Sequence, residues 1–202
     1  MVKEKKNKAI ASGVVIAFIL GILTGYVISA AIQIPEKIKE FDTGENILKN
    51  SGFENEIEGN PAYWFIAHIA AENLTMTWDN EESYTGSKSV YIGNTHIYEE
   101  MVSNNWAQTI NLIPLDTTVE LTGWIKTVEA ESVVMVIQCW DEKLEMVGFG
   151  TTQTKTNING TTDWTMYTTS VHIPTDTESI TVRLVLTGTG QVWFDDVSLV
   201  IK

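Results

Sequence analysis

The sequence predicts an all-β antiparallel domain, a sandwich or barrel, preceded by a single N-terminal transmembrane helix. Three observations predict it. Residues 9–34 form one apolar run without a charged side chain. From Asn46 onward there is no sustained 3.6-residue apolar periodicity, while short runs rich in Val, Ile, Thr and aromatic residues recur. Clusters of Gly, Asn, Asp and Pro, which favour turns, separate those runs.

In chain order, MVKEKKNK at 1–8 is a basic tail, and the apolar run from Ala9 to Ile34 follows it. That run exceeds the roughly 20 residues a membrane-spanning helix needs. Lys3, Lys5, Lys6 and Lys8 place the tail in the cytoplasm, which makes the remainder of the chain extracellular. A cleaved signal peptide is the competing reading, because ISAA resembles a small-residue cleavage site; the length of the run favours a retained signal-anchor. Gly21 and Gly25 form a GxxxG pattern that lets two helices approach, and so predict a homodimer. Residues 35–45 read as a charged stalk and 46–202 as the ectodomain.

Within the ectodomain the clearest strands are SVYIGN, WAQTINLI, VELTGWIKTVEA, SVVMVIQCWD, WTMYTTSVHI, SITVRLVLTG and QVWFDDVSLV. The stretches EESYTGSK, NLIPLDTT, NINGTTD and IPTDTES carry turn chemistry between them. Alternation sets Val119, Leu121 and Ile125 against Glu120, Trp124 and Lys126. It likewise sets Val133, Met135, Ile137 and Cys139 against Gln138 and Trp140, and Val182 and Leu184 against Arg183. If these strands are neighbours with matching orientation, Trp124, Lys126, Gln138, Trp140 and Arg183 share one face. Such a face suits a sugar, because indole stacks on the C–H side of a pyranose while Gln, Lys and Arg bond its hydroxyl edge. The other reading is that these tryptophans cover the second face of a sandwich beneath loops.

Composition excludes several functions. Asp and Glu number 26 against 13 Lys and Arg, a net charge of -13, and no basic stripe suits nucleic acid. Cys139 is the only cysteine, so no intrachain disulfide forms, and its apolar setting marks a buried small hydrophobe. His68, His96 and His172 fall in separate regions without HExxH, GxSxG or paired-His spacing, so no catalytic constellation is predicted. Asn73 and Asn159 open N-x-T triplets that accept N-glycans where the compartment supports it.

The run QVWFDDVSLV places two carboxylates, Asp195 and Asp196, within an apolar strand. An unpaired buried carboxylate is costly, so some partner must hold at least one of them. In order along the chain, NILKNSGFENEIEGNPAYW, YTGSKSVYIGN, WAQTINL, VELTGWIKT, DWTMYTTSVHIP and QVWFDDVSL resemble the jelly-roll carbohydrate-binding modules with a galactose-binding-like fold, those of families 4, 9 and 22. The resemblance spans 46–199. It implies a jelly-roll sandwich and a structural calcium ion between the first and last strands. That ion's implied ligands are Glu54, an Asp of FDDV and backbone carbonyls around 86–88. Strand parity groups Asp195 with Val197 and Leu199; if these face the core, Asp195 points inward and is the ligand. Without an ion, Asp195 would accept hydrogen bonds from backbone N–H groups of a neighbouring loop. The function expected is a membrane-anchored, non-catalytic module that recognises a polysaccharide or other glycan. The alternative is a structural or protein-interaction ectodomain with no sugar ligand.

Overall fold

Alternating β-branched and aromatic residues build antiparallel strands that leave one face apolar, and two such faces close on each other. The computed structural model describes residues 41–111 and 113–202. The tail, the apolar span at 9–34 and the Gly21 and Gly25 contact lie outside the described residues. Among the described residues, no helix is long and apolar enough to cross a membrane.

Strands β1 (Glu56–Ile57) and β2 (Asn60–Pro61) form a small separate hairpin. Next come β3 (Phe65–Ala67), β4 (Leu74–Asp79), β5 (Ser89–Asn94) and β6 (Ser103–Ile110). The strands β7 (Thr118–Trp140), β8 (Met146–Thr151), β9 (Ile158–His172), β10 (Ser179–Thr187) and β11 (Gly190–Ile201) complete the set. The two runs expected as separate strands at 119–130 and 132–141 are one strand, β7. Strands β4 and β8, short and interrupted by polar residues or glycine, were not among the clear sequence signals.

The two layers meet through β7. Its first half, 118–128, pairs with β11 on one side and β9 on the other, while 132–140 pairs with β10 and β8. One layer is therefore β4-β5-β11-β7-β9, and the other is β3-β6-β10-β7-β8. Between them β7 bends: its register with β9 slips repeatedly between Ile125 and Val133, and Glu129 adopts φ 50°. Gly190, at φ 113°, lies against the Ala130 Cα and the Glu129 carbonyl, where any Cβ would collide.

Odd-numbered residues of β7 face inward in both layers. Val119, Leu121 and Ile125 in the first layer and Val133, Met135, Ile137 and Cys139 in the second have no solvent exposure. They pack with Val90, Ile92, Val182, Leu184, Val192, Phe194 and Trp106 in one continuous core. Each such large side chain contributes about 1.5–3 kcal/mol through burial.

Backbone hydrogen bonds join the ends of the domain. The Ile47 N–H donates to the Leu199 carbonyl and the Val197 N–H to the Ser51 carbonyl, both at 2.9 Å. Asn46 Oδ1 accepts from the Leu199 N–H at 2.9 Å. Buried Gln108 of β6 grips Lys49 twice, accepting its N–H at 2.8 Å and donating to its carbonyl at 2.9 Å. The Gly44 N–H reaches the Ile201 carbonyl at 3.0 Å, so the described end of the stalk region already lies along β11.

Cys139 sits in this core, and burial pushes its thiol pKa up, away from the reactive thiolate. Iodoacetamide at pH 8 is therefore expected to leave the folded protein unlabelled and to modify Cys139 fully in denaturant, read by intact mass. Rapid labelling under native conditions would place the thiol outside the core.

Candidate functional site

The two adjacent carboxylates, Asp195 and Asp196, sit at a β-bulge. Val192 and Phe194 face the core, and so do Val197 and Leu199, all fully buried. Phe194 and Val197 are three apart, an odd step that a regular strand cannot take, and the β11 register shifts between Asp195 and Ser198. Asp196 absorbs the shift at φ 45°. This corrects the parity argument made from the sequence: Asp195 pairs opposite Trp124, on the outer side of the first layer, and not with Val197. It is nonetheless 0% exposed, because the loop 80–88 between β4 and β5 folds over it.

Hydrogen bonds pin that loop. Asp195 Oδ2 accepts the N–H groups of Tyr84 at 2.8 Å and Thr85 at 3.0 Å, and Oδ1 accepts the Asp196 N–H at 2.7 Å. Asp196 Oδ2 accepts from the Thr85 hydroxyl at 2.9 Å. From the first segment, Glu54 Oε1 accepts the Ser87 and Lys88 N–H groups at 2.8 and 2.9 Å, and Oε2 accepts the Ser87 hydroxyl at 2.9 Å. Gly86, at φ 62°, lets Glu54 approach, since a Cβ there would strike its carboxylate. Burial lifts the Asp195 pKa to about 6 despite its three N–H donors. For exposed Glu54 burial also pulls upward, but the Ser87 and Lys88 contacts outweigh it and hold the carboxyl below its ordinary value.

Glu54 and Asp195, the expected calcium ligands, thus grasp the same loop from the first segment and the last strand. Their hard oxygens suit that ion in chemistry, and in this structure they accept backbone N–H groups of the loop. Among the described residues, no three His, Cys, Asp or Glu side chains converge as a metal set.

The same loop covers two of the expected sugar-binding residues. Tyr84 stacks on Trp124 with ring centroids 3.7 Å apart and planes 13° from parallel. Glu82 pairs with the Lys126 ammonium at 2.8 Å. Trp124 and Lys126 therefore lie on the outer side of the first layer, with loop side chains against them. Gln138 and Arg183 lie on the outer side of the second layer, and Arg183 Nε donates to Gln138 Oε1 at 2.7 Å. Trp140 ends β7 opposite Ser179 and Met146, one row beyond Gln138. The structure thus brings Gln138 and Arg183 together and sets Trp124 and Lys126 apart from them. All five are outward-facing on β7 or β10, as alternation predicts, but β7 turns its outward side in two directions.

Register builds a groove around Arg183. Phe65, Ala107, Arg183, Val136 and Thr151 face one another across five strands. One neighbouring row is Asn105, Val185 and Val134, and the other is Thr109, Thr181, Gln138 and Phe149. Ala107, Val136, Thr181 and Val185 are each at most 7% exposed although they face outward, so this surface is concave. Phe65 and Phe149, 45% and 51% exposed, stand at opposite edges. Within this surface a groove of about 380 Å³ is lined by Asn105, Val134, Val136, Gln138, Phe149, Arg183 and Val185 of these rows together with Met101, Ser103, Ser132, Gln153 and Thr187. Arg183 Nη1 donates to Asn105 Oδ1 at 2.9 Å, so two amide side chains fix the guanidinium. Asn105 and Phe149 were missed from the sequence; alternation along SNNWAQTI, with Trp106 inward, was the signal for Asn105.

No family model and no curated protein matches the sequence. Solved structures do. The CBM22-1 xylan-binding domain from Paenibacillus barcinonensis Xyn10C is 12% identical with a TM-score of 0.57, over 80% of this chain and 97% of that one. TmCBM61 in complex with β-1,4-galactotriose is 16% identical with a TM-score of 0.51, over 78% of this chain and 99% of that one. The enzymatically active domain of tailspike protein 4 from bacteriophage CBA120 is 15% identical with a TM-score of 0.60 over 78% of this chain. This chain spans 21% of that tailspike. The fold is therefore a jelly-roll type of antiparallel β-sandwich.

Removing the Asp195 carboxylate orphans the N–H groups of Tyr84, Thr85 and Asp196. Asp195→Ala is expected to lower unfolding free energy at pH 7 by about 2–4 kcal/mol in urea titration, against under about 1 kcal/mol for Asp196→Ala. The raised Asp195 pKa adds a pH signature. Its favourable contribution is complete below its ordinary value of 3.8 and is lost as pH rises through about 6. In chelator, the wild-type melting temperature should accordingly gain on that of Asp195→Asn as pH falls from 7 to 4; a constant difference would show that burial does not perturb this carboxyl.

Proposed function

We propose that this chain is a non-catalytic carbohydrate-binding module, displayed outside the cell on its N-terminal membrane anchor, that holds a glycan in the groove of the second layer. The observation that carries the reading is the groove's composition. A fixed set of Asn105, Arg183 and Gln138 offers donors and acceptors for hydroxyls, and Phe149 supplies an apolar edge for a pyranose C–H face. The names of the similar structures support it: one is a xylan-binding domain and another holds a galactotriose. Trp124 takes no part here, because Tyr84 already occupies a face of its indole.

The test is glycan-array binding by the full-length protein and its variants. Phe149→Ala and Gln138→Ala are each expected to weaken glycan binding about tenfold, while Trp124→Ala leaves it within about twofold. The reverse ranking would move the site to the first layer. Retention of no glycan would leave the protein-interaction reading.

The reading includes a structural calcium ion held by Glu54, Asp195 and backbone carbonyls around 86–88, which would add ligand bonds across the two chain ends. Millimolar calcium is then expected to raise the melting temperature by several degrees over chelator, and Asp195→Ala to abolish the rise. An unchanged melting temperature would assign the clasp to backbone hydrogen bonds alone. Dimerisation through Gly21 and Gly25 would add avidity for a polymeric glycan.

A further inference from the structure

Arg183 is the only arginine in a chain of net charge -13, and it occupies the middle of the groove. No carboxylate lines that groove, and among the described residues none of the ion pairs involves Arg183. Its hydrogen-bonding partners, Gln138 and Asn105, are neutral amides that orient the guanidinium without neutralising it. They engage Nε and one Nη1 hydrogen, leaving the second Nη1 hydrogen and both on Nη2 uncommitted. A half-buried, pre-oriented and uncompensated guanidinium is an anion receptor, since its fork matches a carboxylate in shape and charge.

Resting on the groove's reading as a glycan site, we propose that its ligand carries a carboxylate sugar, a uronic acid, whose carboxyl group docks on Arg183. The rest of the groove constrains the ligand further. Its floor of Val134, Val136 and Val185 is neutral, and the lining holds no second cation. The surrounding molecule is strongly acidic, which repels a polyanion at long range. The geometry therefore selects a largely neutral glycan bearing a sparse uronic acid, not a polyuronate.

The experiment uses the full-length protein and a glycan array with matched pairs, each a neutral oligosaccharide and the same oligosaccharide bearing one glucuronic acid, with the carboxyl methyl ester as a third member. The acid is expected to bind about tenfold or more tighter than both neutral members, with that preference falling as salt rises. Arg183→Gln should abolish the preference, so that acid, ester and neutral member bind alike; a preference for the acid that survives in this variant would overturn the assignment to Arg183. Arg183→Lys, which keeps the charge without the fork and serves if the glutamine variant fails to fold, should retain only part of it. Equal binding of acid and ester by the wild type would overturn this inference and leave the glycan reading standing. Binding of no member would overturn both. Tightest binding to polygalacturonate at low salt would overturn the sparse-charge assignment.

Discussion

The architecture depends on one continuous strand serving two layers. β7 keeps its odd-numbered residues on the core side before and after its bend, so Val119 through Ile125 and Val133 through Cys139 bury against a common interior. A strand that folds over while holding one face inward must send its outward face in two directions. Trp124 and Gln138 share a parity yet belong to different surfaces of the molecule. The bend at 127–133 is possible because Glu129 takes a left-handed conformation and Gly190 yields space beside it.

That division gives the two surfaces different physics. On the first layer, the loop 80–88 covers strand residues, and its closure rests on carboxylates from both ends of the domain. Two of its backbone N–H groups, those of Tyr84 and Thr85, turned onto a solvent-free Asp195 give this loop a fixed seat on the sheet. Tyr84 and Glu82 then engage Trp124 and Lys126, converting what alternation marks as an open aromatic face into packed structure. On the second layer the floor is neutral and largely buried, while Phe65 and Phe149 are exposed and the held guanidinium of Arg183 is half-buried.

The sole arginine gains its importance from what is missing around it. A guanidinium beside an aspartate would be a structural ion pair; between two amides it keeps its charge and its donors. The negative charge elsewhere in the chain sharpens this contrast, and an anion's attraction to the groove would depend on ionic strength.

The sequence by itself determined the all-β class, the main stretches of β5, β6, β7, β9, β10 and β11, the inward and outward sets within each regular strand, and the need for something to hold the acidic pair near the C-terminus. These are local properties, legible because a strand's side chains alternate and a buried charge needs a partner. It named Arg183 and Gln138 as outward polar residues, and their contact across β10 and β7 follows from register. Only the tertiary structure decided that two expected strands are one, that the β11 bulge sends Asp195 under a loop, and that Trp124 and Gln138 lie on separate surfaces. Parity counts positions along a strand but is blind to where the strand bends or gains a residue, and those events are set by packing between layers.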